Sequence, residues 1–412
     1  MNQLDPFYKF LLLILLLSFS GCNQGKVKTS VDNSELLAYL DQNNFPISID
    51  GNKPTDFSPL DSNFTRKRLI LLGEVHGSQT NEKLDMELFK YLYYKHGVRY
   101  YLGESGYGMG LLINEYLQTG DEQLLKSIFQ SLTGTFSGTQ ENYERLQALR
   151  AFNQSLPSYA KIKYVGIDLE QHFSTGILSI KGFLFDDLQY YDKSIQQALV
   201  SLISLQNNNY RDVNSFCKYF LEDLRKENLV DSYRRAFGIH YNEVLLILEN
   251  MIMRYDLHQQ PEAYLVKREK QLAKNLQFVM NKNPIGNFYG KWGAFHIWKN
   301  NVGNQSSSFI KESIESGALK KDEILSIPIF YENSFYADKN NNYQSTAISS
   351  MNLPGLLESN DDASVKVYSL NKKGSPFKHH MLLVEGREGV TTDYFTEFIK
   401  IRGSKASNKR VF

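Results

Sequence analysis

Four short segments of the chain join an apolar run to glycine and then to acidic, basic or imidazole side chains. They are Gly73-Glu74-Val75-His76-Gly77, Gly103-Glu104-Ser105-Gly106, Gly166-Ile167-Asp168-Leu169-Glu170 and Gly290-Lys291-Trp292-Gly293-Ala294-Phe295-His296. Glu74 and His76 are two apart, so in extended chain they share one side and Val75 takes the other. A carboxylate beside an imidazole suits general acid–base work, because it orients and charges the ring. For a single acid after a strand the plainer reading is the N-cap of the next helix, and Asp168 and Glu170 admit both readings. Repetition at four places favours one shared site. Glu74, His76, Glu104, Asp168, Glu170, Lys291 and His296 are its candidate members, with His172 an outside one.

The elements that must position these groups follow from the apolar runs. Arg68–Leu72, Val98–Leu102, Ile162–Val165 and Asn287–Tyr289 are short, continuous and closed by Gly, the pattern of strands buried on both faces of a parallel sheet. Ser78 to Lys95 carries Leu84, Leu88, Phe89 and Leu92 at helical spacing, with Gly97 as its stop signal, which makes the first two runs a β-α-β unit. Ligands of such sheets bind outside the carboxyl ends of the strands, where all four segments fall. Later strands are expected at Glu323–Tyr331, Val365–Leu370 and His380–Val384, with Asp393–Ile401 a closing helix or edge strand. Residues 174–260 read as a helical insertion over the strand ends, and 333–362 as loop. The fold class is α/β, a mainly parallel central sheet flanked by helices.

A helix from Glu262 to Met280 opens on Pro261 as its first residue. Leu265, Leu272 and Val279 make an apolar stripe, and Arg268 and Asn275 fall on it. A guanidinium on a core-facing stripe needs a partner, and Glu74, Glu104 or Asp168 is the natural one, unless Arg268 snorkels to the surface. Asn275 joins the candidates for substrate binding.

Composition excludes several classes. The 412 residues hold 46 Lys+Arg against 45 Asp+Glu, a formal net charge of +1, which gives no footprint for nucleic acid. The length suits one enlarged domain or two. The two cysteines, Cys22 and Cys217, support neither a disulfide framework nor a cysteine zinc site. No nucleophile elbow, dinucleotide fingerprint, P-loop or H-E-x-x-H is present. The first residues form an export signal: Lys9, an apolar run Phe10–Leu17 too short to span a bilayer, and small residues before Cys22. That ending resembles the lipobox of bacterial lipoproteins. It predicts cleavage before Cys22, lipidation there and a place in the cell envelope. Residues 1–22 are then signal, 23–60 a polar tether with a short helix near Ser34–Leu40, and 61–412 the α/β domain.

Leu-Leu-Gly-Glu74-Val-His76-Gly resembles the opening motif of the erythromycin esterase-like family, whose superfamily also holds ChaN-like haem-binding lipoproteins and TIKI/TraB proteins. Leu-Gly-Glu104, Tyr-Val-Gly-Ile-Asp168, Arg268-Glu-Lys-Gln-Leu-Ala-Lys-Asn275 and Gly293-Ala-Phe-His296 resemble its later blocks in the same order. The resemblance implies hydrolysis of a small-molecule ester or lactone by His-activated water, with His76 as base, Glu74 and His296 as helpers and no metal. One residue between Glu74 and His76, where the esterases have two, is closer to the ChaN and TIKI branches. Those imply two alternatives. One is a metal-dependent hydrolase holding zinc or manganese on Glu74, His76 and His296. The other is a lipoprotein that binds haem through a histidine or one of Tyr100, Tyr101, Tyr107 and Tyr116.

Overall fold

A computed structural model describes residues 33–51, 53–185, 187–205, 209–303, 307–348 and 363–411. Its large sheet has eight strands in the order β1-β9-β10-β6-β2-β5-β3-β4. These are β1 (Asn44–Pro46), β2 (Leu69–Glu74), β3 (Tyr100–Gly106), β4 (Lys163–Asp168), β5 (Phe288–Gly293), β6 (Ile324–Glu332), β9 (Val365–Ser369) and β10 (Glu397–Arg402). A separate hairpin pairs β7 (Phe335–Asp338) with β8 (Gln344–Ala347).

The central strands are parallel and buried on both faces, as their uninterrupted apolar runs require. Every residue of β2 and of β6 is buried. Ile70 and Leu72 face one core with the Gln79–His96 helix, and Leu69 and Leu71 face the other with the Pro261–Lys282 helix. The helices of the insertion, from Phe173–Lys181 to Tyr241–His258, join that second core through Ile177, Leu199, Phe220 and Ile247. They reach the strand ends through Arg254, which donates to Gln171 at 2.6 Å, just beyond β4.

The structure corrects four local expectations. In the loop expected over 333–362, Phe335–Asp338 and Gln344–Ala347 pair as an antiparallel hairpin. Residues 33–60 are not a tether. Asn33–Gln42 is the short helix expected near Ser34–Leu40, but its Leu36, Tyr39 and Leu40 are buried, and β1 pairs with β9 as the edge of the sheet. What the polar composition hides is that this segment packs on the domain. His380–Val384 forms no strand. Leu383 has φ +67°, a left-handed backbone that interrupts extension. The end of the chain gives a strand that lies inside the sheet, because β10 is flanked by β6 and β9. Cys22 and the signal fall outside the described residues, and no helix among the described residues is long and apolar enough to cross a membrane.

Two irregularities open the sheet at the carboxyl ends. β3 pairs with β4 in register to Gly103–Gly166, then slips before Gly106–Asp168, which leaves Glu104 and Ser105 in a bulge. β3 and β5 pair only at Tyr100–Phe288 and Tyr101–Tyr289. Beyond that point side chains replace the ladder. The Trp292 indole donates to the Leu102 carbonyl at 3.0 Å, and the Gly293 amide donates to the Glu104 carboxylate at 2.9 Å.

Candidate active site

The first half of the site grows from the end of β2. Glu74 is its last residue, with a side chain 4% exposed, and it accepts from Nδ1 of His76 at 2.8 Å. Its other oxygen accepts from Lys291 Nζ at 2.8 Å, and the same ammonium donates to Glu82 at 2.8 Å. Tyr331 braces the backbone between Glu74 and His76. It accepts from the Val75 amide at 3.0 Å and donates to Asn81 at 3.0 Å, while Asn81 donates to the Val75 carbonyl at 2.8 Å. Gly77 then turns the chain at φ +84°, and its carbonyl accepts from Ala337 and Ser407. A Cβ there would meet the Ala337 backbone at 3.1 Å, so glycine answers both the angle and the close approach. Burial pushes the Glu74 pKa up, but the charge of Lys291 together with the hydrogen bond and charge of His76 more than offsets it and holds the pKa below the usual carboxylate range.

His76 is the open member of this half, with its side chain 34% exposed. Burial lowers its pKa, but the charges of Glu104 and Glu74 more than offset that and the net shift is upward. Its Nε2 faces Glu104 at 3.6 Å. The ring of Phe136 lies over it with centroids 5.9 Å apart, and the Lys339 ammonium stands 4.8 Å from the centre of the Phe136 ring.

The second half is built around Arg268. Its guanidinium makes a two-pronged pair with Asp168, Nε to Oδ1 at 2.8 Å and an Nη to Oδ2 at 2.6 Å, and reaches Glu104 at 3.2 Å. Glu104 also meets Nε2 of His296 at 3.3 Å. Nδ1 of that ring stands 2.8 Å from Glu269, whose second oxygen accepts from the Phe309 amide at 2.7 Å. Burial opposes a charge on His296, but Glu269 and Glu104 on its two sides raise its pKa to about 9. At neutral pH it is an imidazolium, and its 3.2 Å approach to the Arg268 guanidinium is a contact between two cations bridged by Glu104. Glu104 is correspondingly held well below the usual range despite its burial, chiefly by His296 and His76.

Glu74, His76, Glu104, Asp168, Arg268, Lys291 and His296 are thus brought together at one edge of one sheet. Glu170 and Asn275 serve other places. Glu170 accepts from the Gly108 amide at 2.6 Å, at the start of the Tyr107–Thr119 helix, and burial raises its pKa to about 8. Asn275 donates to the Ile167 carbonyl at 2.8 Å and is fully buried among Asn250 and Gln271. His172 precedes the Phe173–Lys181 helix, its pKa lowered by burial to about 4. Sequence reasoning missed Glu269, Glu82 and Phe136. Glu269 adjoins Arg268 on the same helix, but it lies off the apolar stripe that drew attention to its neighbour.

The trio Glu74, His76 and His296 is not arranged as a ligand set for a divalent metal. Glu74 spends both oxygens on His76 and Lys291, and His296 turns its Nε2 toward Glu104 and a guanidinium. Among the described residues no group of three His, Cys, Asp or Glu is spaced to hold a metal ion. The tyrosines considered for haem have other work. Tyr101, Tyr107 and Tyr116 donate to Asp85, Glu243 and Glu122 at 2.7, 2.6 and 3.2 Å, and Tyr100 packs on Phe288.

The fold is of the α/β class, a mainly parallel sheet flanked by helices, with the acidic, basic and imidazole side chains gathered at one edge of it. No family model matches the chain, and no curated protein matches it in sequence. Solved structures do match. A mutant of the erythromycin esterase EreC in its open conformation aligns with 89% of this chain and 98% of its own, at 13% identity and a TM-score of 0.58. A succinoglycan biosynthesis protein aligns with 94% of this chain and 100% of its own, at 14% identity and a TM-score of 0.65. A Bacillus cereus protein covers 92% of this chain and 100% of itself, at 14% identity and a TM-score of 0.64. At these identities the likeness is one of fold.

Proposed function

We propose that this protein hydrolyses a small-molecule ester or lactone with water activated at His76. The observation that carries the reading is the asymmetry of that ring: Nδ1 is tied to buried Glu74, while the rest of the imidazole is the most exposed part of the cluster. With Nδ1 as donor, a neutral ring leaves the Nε2 lone pair, on the side of Glu104, to accept a proton. Nε2 takes a proton from water, the oxygen attacks the ester carbonyl, and the resulting oxyanion is stabilised by the Arg268 and His296 cations across the cleft. His76 then returns the proton to the departing alkoxide. The shared fold with an erythromycin esterase supports this reading. The test is turnover of a panel of aryl esters and macrocyclic lactones, erythromycin included. Saturable hydrolysis is expected, and His76→Ala should lower it by about 10²-fold or more with folding intact. Unchanged turnover in that variant would reject the reading.

We also infer from Cys22 and its preceding run that the chain is exported and held at a membrane of the cell envelope by a lipid on that cysteine. Its substrate would then be met outside the cytoplasm.

A further inference from the structure

At the opposite end of the sheet, where β2 begins, lies a cavity of about 390 Å³. Arg66, Lys67 and Arg68 line it in succession, joined by His96 from the end of the Gln79–His96 helix. The strand rise of about 3.3 Å per residue puts it roughly 20 Å from Glu74, so it is separate from the site above.

Three features mark the cavity as built to receive something. Arg66 has φ +62°, a left-handed conformation unusual for a non-glycine residue and costly unless the surroundings impose it. The Arg68 backbone is fixed on both sides, its amide donating to the Glu323 carbonyl at 2.8 Å and its carbonyl accepting from the Phe288 amide at 2.8 Å. Its guanidinium nonetheless has a buried Nε without a partner. Buried guanidinium donors are ordinarily satisfied, so an unpartnered one on a residue that lines the cavity is unusual. The nearby acids are already engaged. Glu323 accepts from the Lys320 amide at 2.8 Å, and Asp61 accepts from His96 at 2.8 Å.

We propose that this cavity binds the phosphate group of an anionic ligand. Arg66, Lys67 and Arg68 supply matching charge, although the Lys67 ammonium donates to the Asp322 carbonyl at 2.6 Å and one Nη of Arg68 reaches the Met280 carbonyl at 3.5 Å. The remaining guanidinium donors of Arg68 suit tetrahedral oxygens. The phosphate could be that of a free phosphorylated metabolite or of a phospholipid headgroup. Ile285 on the cavity wall is 97% exposed and would lie against the ligand's apolar part. Calorimetry of the full chain with sn-glycerol 3-phosphate reads the first source. Flotation with phosphatidylglycerol vesicles, against phosphatidylcholine vesicles, reads the second. Saturable binding in either arm that weakens at least tenfold in Arg68→Gln supports the proposal and names the source. Arg66→Gly removes a cation while suiting the backbone angle, so it should melt no lower than the native chain and still bind more weakly. The proposal is overturned if neither probe binds above the neutral-vesicle control. It is also overturned if both folded variants bind as the native chain does.

Discussion

His76 is held between two carboxylates that both favour its charged form. A base must be unprotonated, so turnover should rise with pH through an apparent pKa above the ordinary 6.5, not below it. Glu74→Gln removes one of the charges that raise this pKa. Its rising limb should move to lower pH, and its plateau should fall because the ring loses its anionic anchor. A pH profile of kcat/KM for both forms checks the sign, and a limb that moves upward would contradict the arrangement. Gly293 gives a second test at the same scale. A Cβ there would stand 3.1 Å from His76 Nε2 and 3.5 Å from the His296 ring. Gly293→Ala should therefore cost about 10-fold to 10²-fold in kcat, with a melting temperature near the native one.

The Pro261–Lys282 helix locks one wall of the cleft to the sheet, and its Arg268–Asp168 pair is the bolt. Breaking a buried pair by removing one partner typically costs about 3–5 kcal/mol, so Arg268→Ala should unfold at clearly lower denaturant than the wild type. His296 adds a pH dependence. Its pKa is about 9 in the fold and near 6.5 unfolded, so its stabilisation is complete below about 6.5 and is lost as pH climbs through 9. The melting temperature should fall between pH 7 and 9.5, and His296→Asn should flatten that slope. Much of this was legible in the sequence. Apolar runs ending in glycine located β2 to β5, and a cation on an apolar stripe predicted an ion pair for Arg268. The bulge at Glu104–Ser105 was not, because register slips leave no trace in residue type. Glu269 and Phe136 escaped for a related reason: one contacts His296 and the other His76 only through tertiary packing. Glu170 and Asn275 carried the right chemistry, and the fold spends it on backbone groups.

For the whole molecule, the segment before the first central strand is structural. Leu36, Tyr39, Leu40 and Ile47 are buried, and β1 covers the edge of β9. Deleting residues 33–47 should lower the melting temperature and raise aggregation by uncovering that edge, whereas a true tether could be cut without either effect. The lipid anchor proposed at Cys22 makes a separate forecast: Cys22→Ser should abolish incorporation of labelled fatty acid and release the chain from the membrane fraction. The strand order carries one more consequence. β2 lies between β5 and β6, and the Glu74–Lys291 bond that ties it to β5 closes over 217 positions of chain. While a ribosome is still making the helical insertion, the Leu69–Leu72 run has neither neighbour to pair with. Such distant pairing makes folding slow and leaves an apolar strand uncovered meanwhile. A fragment ending before residue 288 should therefore be recovered as an insoluble or chaperone-bound species, while the complete chain acquires its sheet only after synthesis has passed β6.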